Sequence, residues 1–256
     1  MTRISDTAVL EAKHGTVTYG GKPAIRDVSI TFTESQITAI MGPIGSGKST
    51  LLRAFNRLND VLPGMRTTGS FTYRSRDLYA RDVDPGEVRR RIGMVFREPT
   101  PFPRSIEGNV AWGAMVNGLV GRDEIRALVE RSLTRAGLWQ EVKNRLHASP
   151  AVLTSGEQQR LCIARALAMK PDVLLLDEPC ATLDPASSSR IEDLLYELKA
   201  SCTIVIAAHT MQQAARVSDH TALLFEGELI EVGATKTIFT RPRDKRTEDY
   251  VTGRFD

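Results

Sequence analysis

Nothing in this 256-residue chain is apolar for long enough to cross a membrane. A spanning helix needs roughly 18 such residues, and no run approaches that. The opening segment, MTRISDTAVLEAKHG, also lacks the apolar core of a signal peptide, so any membrane role is expected to come through a partner. Cysteine is scarce. Cys162, Cys180 and Cys202 are widely spaced, odd in number and set among apolar or small residues. No metal-ligand spacing appears, and reduced thiols in a cytosolic protein are expected. Charge of one sign is missing too. A formal net charge of +3 is too small to imply nucleic acid, and the basic clusters RRR at 89–91 and RDKR at 243–246 read as solvated faces. Neither an internal repeat nor a low-complexity linker is visible.

What remains is an ordinary globular composition, 41% hydrophobic and 25% charged. That is enough for one large domain or two small ones with a sizeable core. Residues 8–41 read as strands: VLEAKHGTVTY, IRDVSITF and QITAIM are rich in β-branched residues and broken by the turn-like GGKP. A helix is expected from about Lys48 to Leu58, with Leu51, Leu52 and Phe55 on one face. GSFTY reads as a strand, DPGEVRRR as a short helix with Pro85 near its start, and IGMVF as another strand. Between about 98 and 170 strand signals stop. RDEIRALVERSLTRAGL places Ile125, Leu128, Val129 and Leu133 at helical spacing, which predicts a helical insertion within a core formed by about 1–97 and 171–256. Sheet character returns at DVLLLDEP. A helix follows at 185–199, with Asp184 as its cap, Pro185 at its first position and Ile191, Leu194, Leu195 and Leu198 as its buried stripe. TIVIAA, the helix MQQAARVS and the hairpin TALLFEGELIEV complete the pattern. Strands alternating with helices, two of them short continuous apolar runs, imply an α/β domain with a mainly parallel sheet. Ligands in such sheets sit beyond the carboxyl ends of the strands.

The chemistry-bearing residues cluster at those ends. GPIGSGKST, comprising Gly42, Pro43, Ile44, Gly45, Ser46, Gly47, Lys48, Ser49 and Thr50, fits G-x-x-x-x-G-K-[ST] between a strand and a helix. Its glycines let backbone N–H groups close around phosphates, Lys48 places its ammonium on the β/γ oxygens, and Ser49 can ligate Mg²⁺. VLLLDEP delivers Asp177 and Glu178 to the open end of a buried strand. Adjacent acids at a strand end are commonplace by themselves. Paired with a phosphate loop, Asp177 suits the inner or outer shell of a hard Mg²⁺. Glu178 could then accept a proton from a water attacking the γ-phosphate. His209 ends TIVIAA at the same sheet edge, where imidazole can donate to a phosphate oxygen. Tyr19, before GGKP, could stack on an adenine base. LTSGEQQR carries Thr154 three residues before Glu157, a capping box for the next helix. The same helix start leaves other N–H groups at the positive end of a dipole, which suits an anion.

In order, these pieces resemble the ATP-binding subunits of ABC transporters. Tyr19 takes the place of the A-loop, 42–50 of Walker A, 153–158 of the signature, 173–178 of Walker B, ATLD at 181–184 of the D-loop and His209 of the H-loop. LLRAFNRLND, GMVFREPTPFPRSI, RLCIARALA, LLLDEPCATLDP, MQQAARVSD and the tail IFTRPRDKRTEDYVTGRF are similar to the ATPase subunit of bacterial phosphate importers. The resemblance covers nearly the whole chain. It implies a single P-loop ABC ATPase domain with a mainly parallel core sheet, an N-terminal antiparallel β portion and a helical subdomain. It further implies a homodimer that sandwiches two ATP molecules with Mg²⁺, the Walker residues of one subunit facing the signature and Asp184 region of the other. Two membrane-spanning permease subunits and, indirectly, an extracytoplasmic phosphate-binding protein would complete the importer. This chain would be peripheral on the cytoplasmic side of the bacterial membrane, with no nucleic-acid partner.

Two positions depart from the family. Arg97 stands where the family has Gln. A guanidinium has five donors and no acceptor, so it cannot ligate Mg²⁺ or accept from water, although it can bind a phosphate oxygen or an acidic group. The signature reads Leu153, Thr154, Ser155, Gly156, Glu157 instead of L-S-G-G-Q. Ser155 is expected to carry a steric cost if that position needs φ > 0, and Glu157 adds negative charge near an anion site unless it turns back into the cap. A second reading follows from these departures: a regulatory subunit that dimerises on ATP but hydrolyses it weakly. The ABC proteins of DNA repair or translation carry two ATPase domains or long coiled-coil insertions, and the chain has room for neither.

Overall fold

A computed structural model describes residues 7–254. The first six residues of the opening segment and Phe255 of the tail lie outside the described residues. In chain order the elements are β1 (Ala8–Tyr19), β2 (Lys22–Thr33), β3 (Ile37–Met41), α1 (Lys48–Phe55), β4 (Met65–Tyr73), β5 (Arg76–Asp77), α2 (Pro85–Arg91) and β6 (Ile92–Val95). Next come α3 (Ile106–Val116), α4 (Ile125–Arg135), α5 (Trp139–Val142) and α6 (Ser155–Ala168), with no strand before β7 (Val173–Asp177). The rest is α7 (Pro185–Leu198), β8 (Thr203–Ala207), α8 (Met211–Val217), β9 (His220–Phe225), β10 (Glu228–Ala234), α9 (Thr235–Thr240) and α10 (Lys245–Val251).

These elements form two sheets. An antiparallel sheet runs β2-β1-β4-β5. Its first hairpin closes through Gly20 and Gly21 at φ 55° and 82°, the left-handed pair that a tight hairpin turn requires. The second sheet runs β10-β9-β3-β8-β7-β6 and is parallel except for the β9–β10 hairpin. Every residue of β3, β7 and β8 is buried, as expected for parallel strands covered on both faces. Alternation along each strand then divides the core in two. Ile37, Leu174, Leu176, Ile204 and Ile206 face the helices, against α3, α4, α6 and α7. Ile40, Val173, Leu175 and Val205 face α1 and the antiparallel sheet, where Phe55 meets Phe32 and Phe71 edge-on at 5.4 and 5.3 Å. Such aromatic pairs add roughly 0.5–1.5 kcal/mol beyond their buried area.

One boundary differs from the sequence expectation. α1 stops at Phe55 rather than near Leu58, because Arg57 takes a left-handed φ of 58°. Its guanidinium is held by the Leu78 and Val83 carbonyls and by Asp60, so tertiary contacts override helix propensity there.

The parallel register aligns the strand ends that matter. Ile40 of β3 and Asp177 of β7 both pair with Ala207 of β8. The loops leaving β3, β7 and β8 therefore begin at one level of one sheet edge.

Candidate phosphate-binding site

The loop after β3 turns back on itself through Gly42, Gly45 and Gly47, all at positive φ. Two of these positions admit no other residue. A Cβ on Gly42 would lie 2.0 Å from the Leu224 carbonyl oxygen, and one on Gly47 would lie 2.6 Å from that of Ala24. From the other side, Tyr250 and Val251 of α10 pack against Met41 at the end of β3. Gly47 is the N-cap of α1 and supplies no side-chain cap, so the first-turn amides stay open to an anion. Ser46 Oγ, in the same loop, is buried without a hydrogen-bond partner.

Lys48 is the first residue of α1 and is buried. Its ammonium donates to the Gly42 and Pro43 carbonyls at 2.9 and 3.1 Å and lies 3.5 Å from Glu178 Oε1. Ser49 Oγ donates to Asp177 Oδ1 at 2.7 Å, and Arg53, one turn further along α1, reaches Asp177 Oδ2 at 3.3 Å. A cavity of about 310 Å³ opens over these groups, lined also by Ile44, Gly45, Thr50, Arg97 and Glu178. The Ser49 hydroxyl beside the Asp177 carboxylate offers the hard oxygen donors that Mg²⁺ favours. No cluster of three or more His, Cys, Asp or Glu suited to a metal exists among the described residues. Mg²⁺ characteristically binds through one or two protein oxygens, waters and substrate phosphates rather than through such a cage.

Glu178 follows β7 with a left-handed φ of 47°, costly for a non-glycine residue and characteristic of functional sites. Its N–H donates to the Ala207 carbonyl at 3.1 Å, which extends the ladder by one residue and fixes the side chain over the cavity. The carboxylate is 13% exposed; Oε2 lies 3.6 Å from Arg97 Nη1 and 3.8 Å from His209 Nδ1. His209 is placed by its own N–H, which donates to Gln213 Oε1 at 3.1 Å. Lys48, Ser49, Asp177, Glu178, His209 and Arg97 thus converge.

His209 and the remaining candidates do not line this cavity. Tyr19 ends β1 and is 61% exposed. The signature segment begins α6, with Thr154 and Ser155 exposed. The capping box is present. Glu157 N–H donates to Thr154 Oγ1 at 3.3 Å, and Glu157 Oε2 accepts from Thr154 N–H at 2.8 Å. Glu157 Oε1 also accepts from Arg145 at 3.2 Å, so its charge is engaged within the chain. Ser155 is the first residue of α6 and is not among the positive-φ residues; the steric cost anticipated there does not arise. The position that demands glycine is Gly156, where a Cβ would lie 2.4 Å from Ser187 Oγ and 2.7 Å from its Cβ. Ser187 in turn donates from N–H and Oγ to Asp184, the cap of α7, at 2.9 and 2.6 Å. That hydroxyl bond, helped by the backbone one, holds the Asp184 carboxyl below its usual range.

Three further residues escaped sequence reasoning. Arg53 had a signal, since it lies four residues after Ser49 on the same helix face. Ser187 and Gln159 had none. Gln159 is fully buried, and its Nε2 donates to the Phe96 and Pro179 carbonyls at 2.8 and 3.0 Å.

Comparison with known proteins agrees with this geometry. Residues 25–181 match the family described as ABC transporter. The phosphate import ATP-binding protein PstB of Salinibacter ruber is 54% identical over 237 residues, 93% of this chain and 94% of that protein. Among solved structures, cbiO1 from Clostridium perfringens, part of the ABC transporter complex cbiONQ, is 31% identical with a TM-score of 0.79. The match covers 96% of each chain.

Proposed function

The chain belongs to the ABC transporter family, and from that premise we propose that it is the ATP-binding and ATP-hydrolysing subunit of an importer of inorganic phosphate. The observation that carries this reading is the convergence of Lys48, the Ser49–Asp177 pair and Glu178 on one cavity at aligned strand ends. The identity with a phosphate import ATP-binding protein points to the cargo.

In this reading each residue has a role. The amides of 42–50 and the Lys48 ammonium bind the β- and γ-phosphates; on arrival they replace the Gly42 and Pro43 carbonyls that now hold Lys48. Ser49 and Asp177 would hold Mg²⁺, which when bound would neutralise phosphate charge. Glu178 orients the attacking water and takes its proton, and His209 donates to the terminal phosphate. Tyr19, solvent-facing at the β1–β2 turn, stacks on the adenine. Thr154 and Ser155, both exposed, and the buried Gly156, with Asp184 nearby, present the start of α6 to the nucleotide of a second copy. Glu157 acts within its own chain, as cap and partner of Arg145.

The partners are a homodimer mate and two membrane-spanning permease subunits, with an extracytoplasmic phosphate-binding protein acting through the permease. No helix among the described residues is long and apolar enough to cross a membrane, and in this reading the chain meets the membrane through the permease, on its cytoplasmic face. We assign 98–170 as the helical subdomain that meets the permease. Exposed Phe102, Trp112, Met115 and Val116 on and beside α3 support this assignment, because apolar residues gathered on a surface mark interaction sites.

ATP hydrolysis by the purified protein tests the reading, with Glu178→Gln as control. Loss of a positioned base costs about 10²–10⁴ in rate, so measurable turnover in the parent and none in the variant is expected. A flat zero in both would reject the enzymatic reading.

A further inference from the structure

The Glu178 carboxylate has three basic neighbours, at 3.5, 3.6 and 3.8 Å. None is within the usual 2.7–3.2 Å of an N–H···O hydrogen bond. Lys48 has other acceptors in the loop carbonyls, and His209 carries charge only when protonated. Arg97 is the permanent cation on Oε2. Its side chain is half exposed and lines the phosphate cavity. Among the described residues it donates no hydrogen bond, so its planar fork is free to serve a ligand. The backbone around this pair is fixed. Gln159 ties down both the carbonyl before Arg97 and the one after Glu178, which leaves the arginine side chain as the moving part.

We propose that Arg97 is a terminal-phosphate receptor, acting in its own chain, whose pairing with Glu178 is exchanged for the γ-phosphate of bound nucleotide. This deepens the function proposed above and rests on it. A terminal phosphate offers geminal anionic oxygens that match the guanidinium fork bidentately, a better partner than one carboxylate oxygen at 3.6 Å. Once Arg97 turns to the phosphate, Glu178 Oε2 is released to accept a proton from water. A nucleoside diphosphate ends at its β-phosphate, has no group at the γ position to draw Arg97 away, and leaves the Arg97–Glu178 pair closed. The residue thereby separates triphosphate from diphosphate by reading the one group in which they differ.

Calorimetric titration with Mg²⁺–AMP-PNP and with Mg²⁺–ADP tests this on the parent, Arg97→Gln and Arg97→Lys proteins. Losing a charge-assisted contact in Arg97→Gln should weaken AMP-PNP binding about tenfold, with ADP affinity changed by less than about twofold. Arg97→Lys, which keeps the charge without the fork, should recover part of the loss. Unchanged ADP affinity also shows that the variant is folded. Equal weakening of both nucleotides, or no weakening of AMP-PNP, would overturn the proposal while leaving nucleotide binding intact. A parent protein that binds neither nucleotide would overturn the functional reading, and this inference with it.

Discussion

Helices α1 and α6 both start after a loop of small residues, yet their first turns are treated in opposite ways. α1 starts at Gly47, with no side-chain cap, beneath a loop whose glycines are pinned against Leu224 and Ala24 backbone atoms. Its partners in chemistry, Asp177 and Glu178, arrive from the neighbouring strand of the same chain. α6 starts at Thr154 with a complete capping box, and Thr154 and Ser155 are exposed to solvent. The first helix start is a receptor finished within one chain. The second is stable by itself and leaves the Ser155 and Gly156 amides, which precede any intrahelical partner, for an acceptor from outside. On the proposed function one chain therefore holds two different half-sites, which a second copy would bring together.

The difference can be attacked from either side. Removing the ammonium from the finished half should have the largest effect. Lys48→Ala strips the buried cation that faces the β/γ oxygens, and nucleotide affinity measured by calorimetry should fall by about a hundredfold or more, as for a desolvated charge-assisted contact. Next is Gly156→Ala, whose methyl would overlap Ser187. Overpacking of this kind costs about 1–3 kcal/mol. ATPase activity should drop while monomer affinity for ATP is kept, and Ser187→Gly in the same chain should restore part of the activity. An equal loss of monomer ATP affinity would mean that the two helix starts are not separate. The smallest effect belongs to the cap. Thr154→Ala should cost about 1 kcal/mol of stability, visible as a few degrees of melting temperature, with monomer nucleotide affinity unchanged.

The finished half was almost fully legible in the sequence because its signals are local. A nine-residue loop motif, a four-residue apolar run and two acids at its end each state their own geometry. The parallel register then brought them together without further information. The other half was legible only in part. Thr154 and Glu157 announced their cap, since a capping box spans four residues. Ser155 drew attention that belonged to Gly156, because the need for glycine there comes from Ser187, 31 positions away in sequence and adjacent in space. The same reason hid Gln159, which acts on carbonyls 63 and 20 residues distant, and the left-handed Arg57 that ends α1 early. Contacts made across the fold leave no periodicity to read.

Whether one chain truly holds two unlike half-sites is decided by what nucleotide does to its oligomeric state. Sedimentation velocity of the Glu178→Gln protein, which should bind ATP without consuming it, measures this directly. Saturating Mg²⁺–ATP should double the sedimenting mass, and Mg²⁺–ADP should leave a monomer. A protein that binds ATP and still sediments as a monomer would contradict the account.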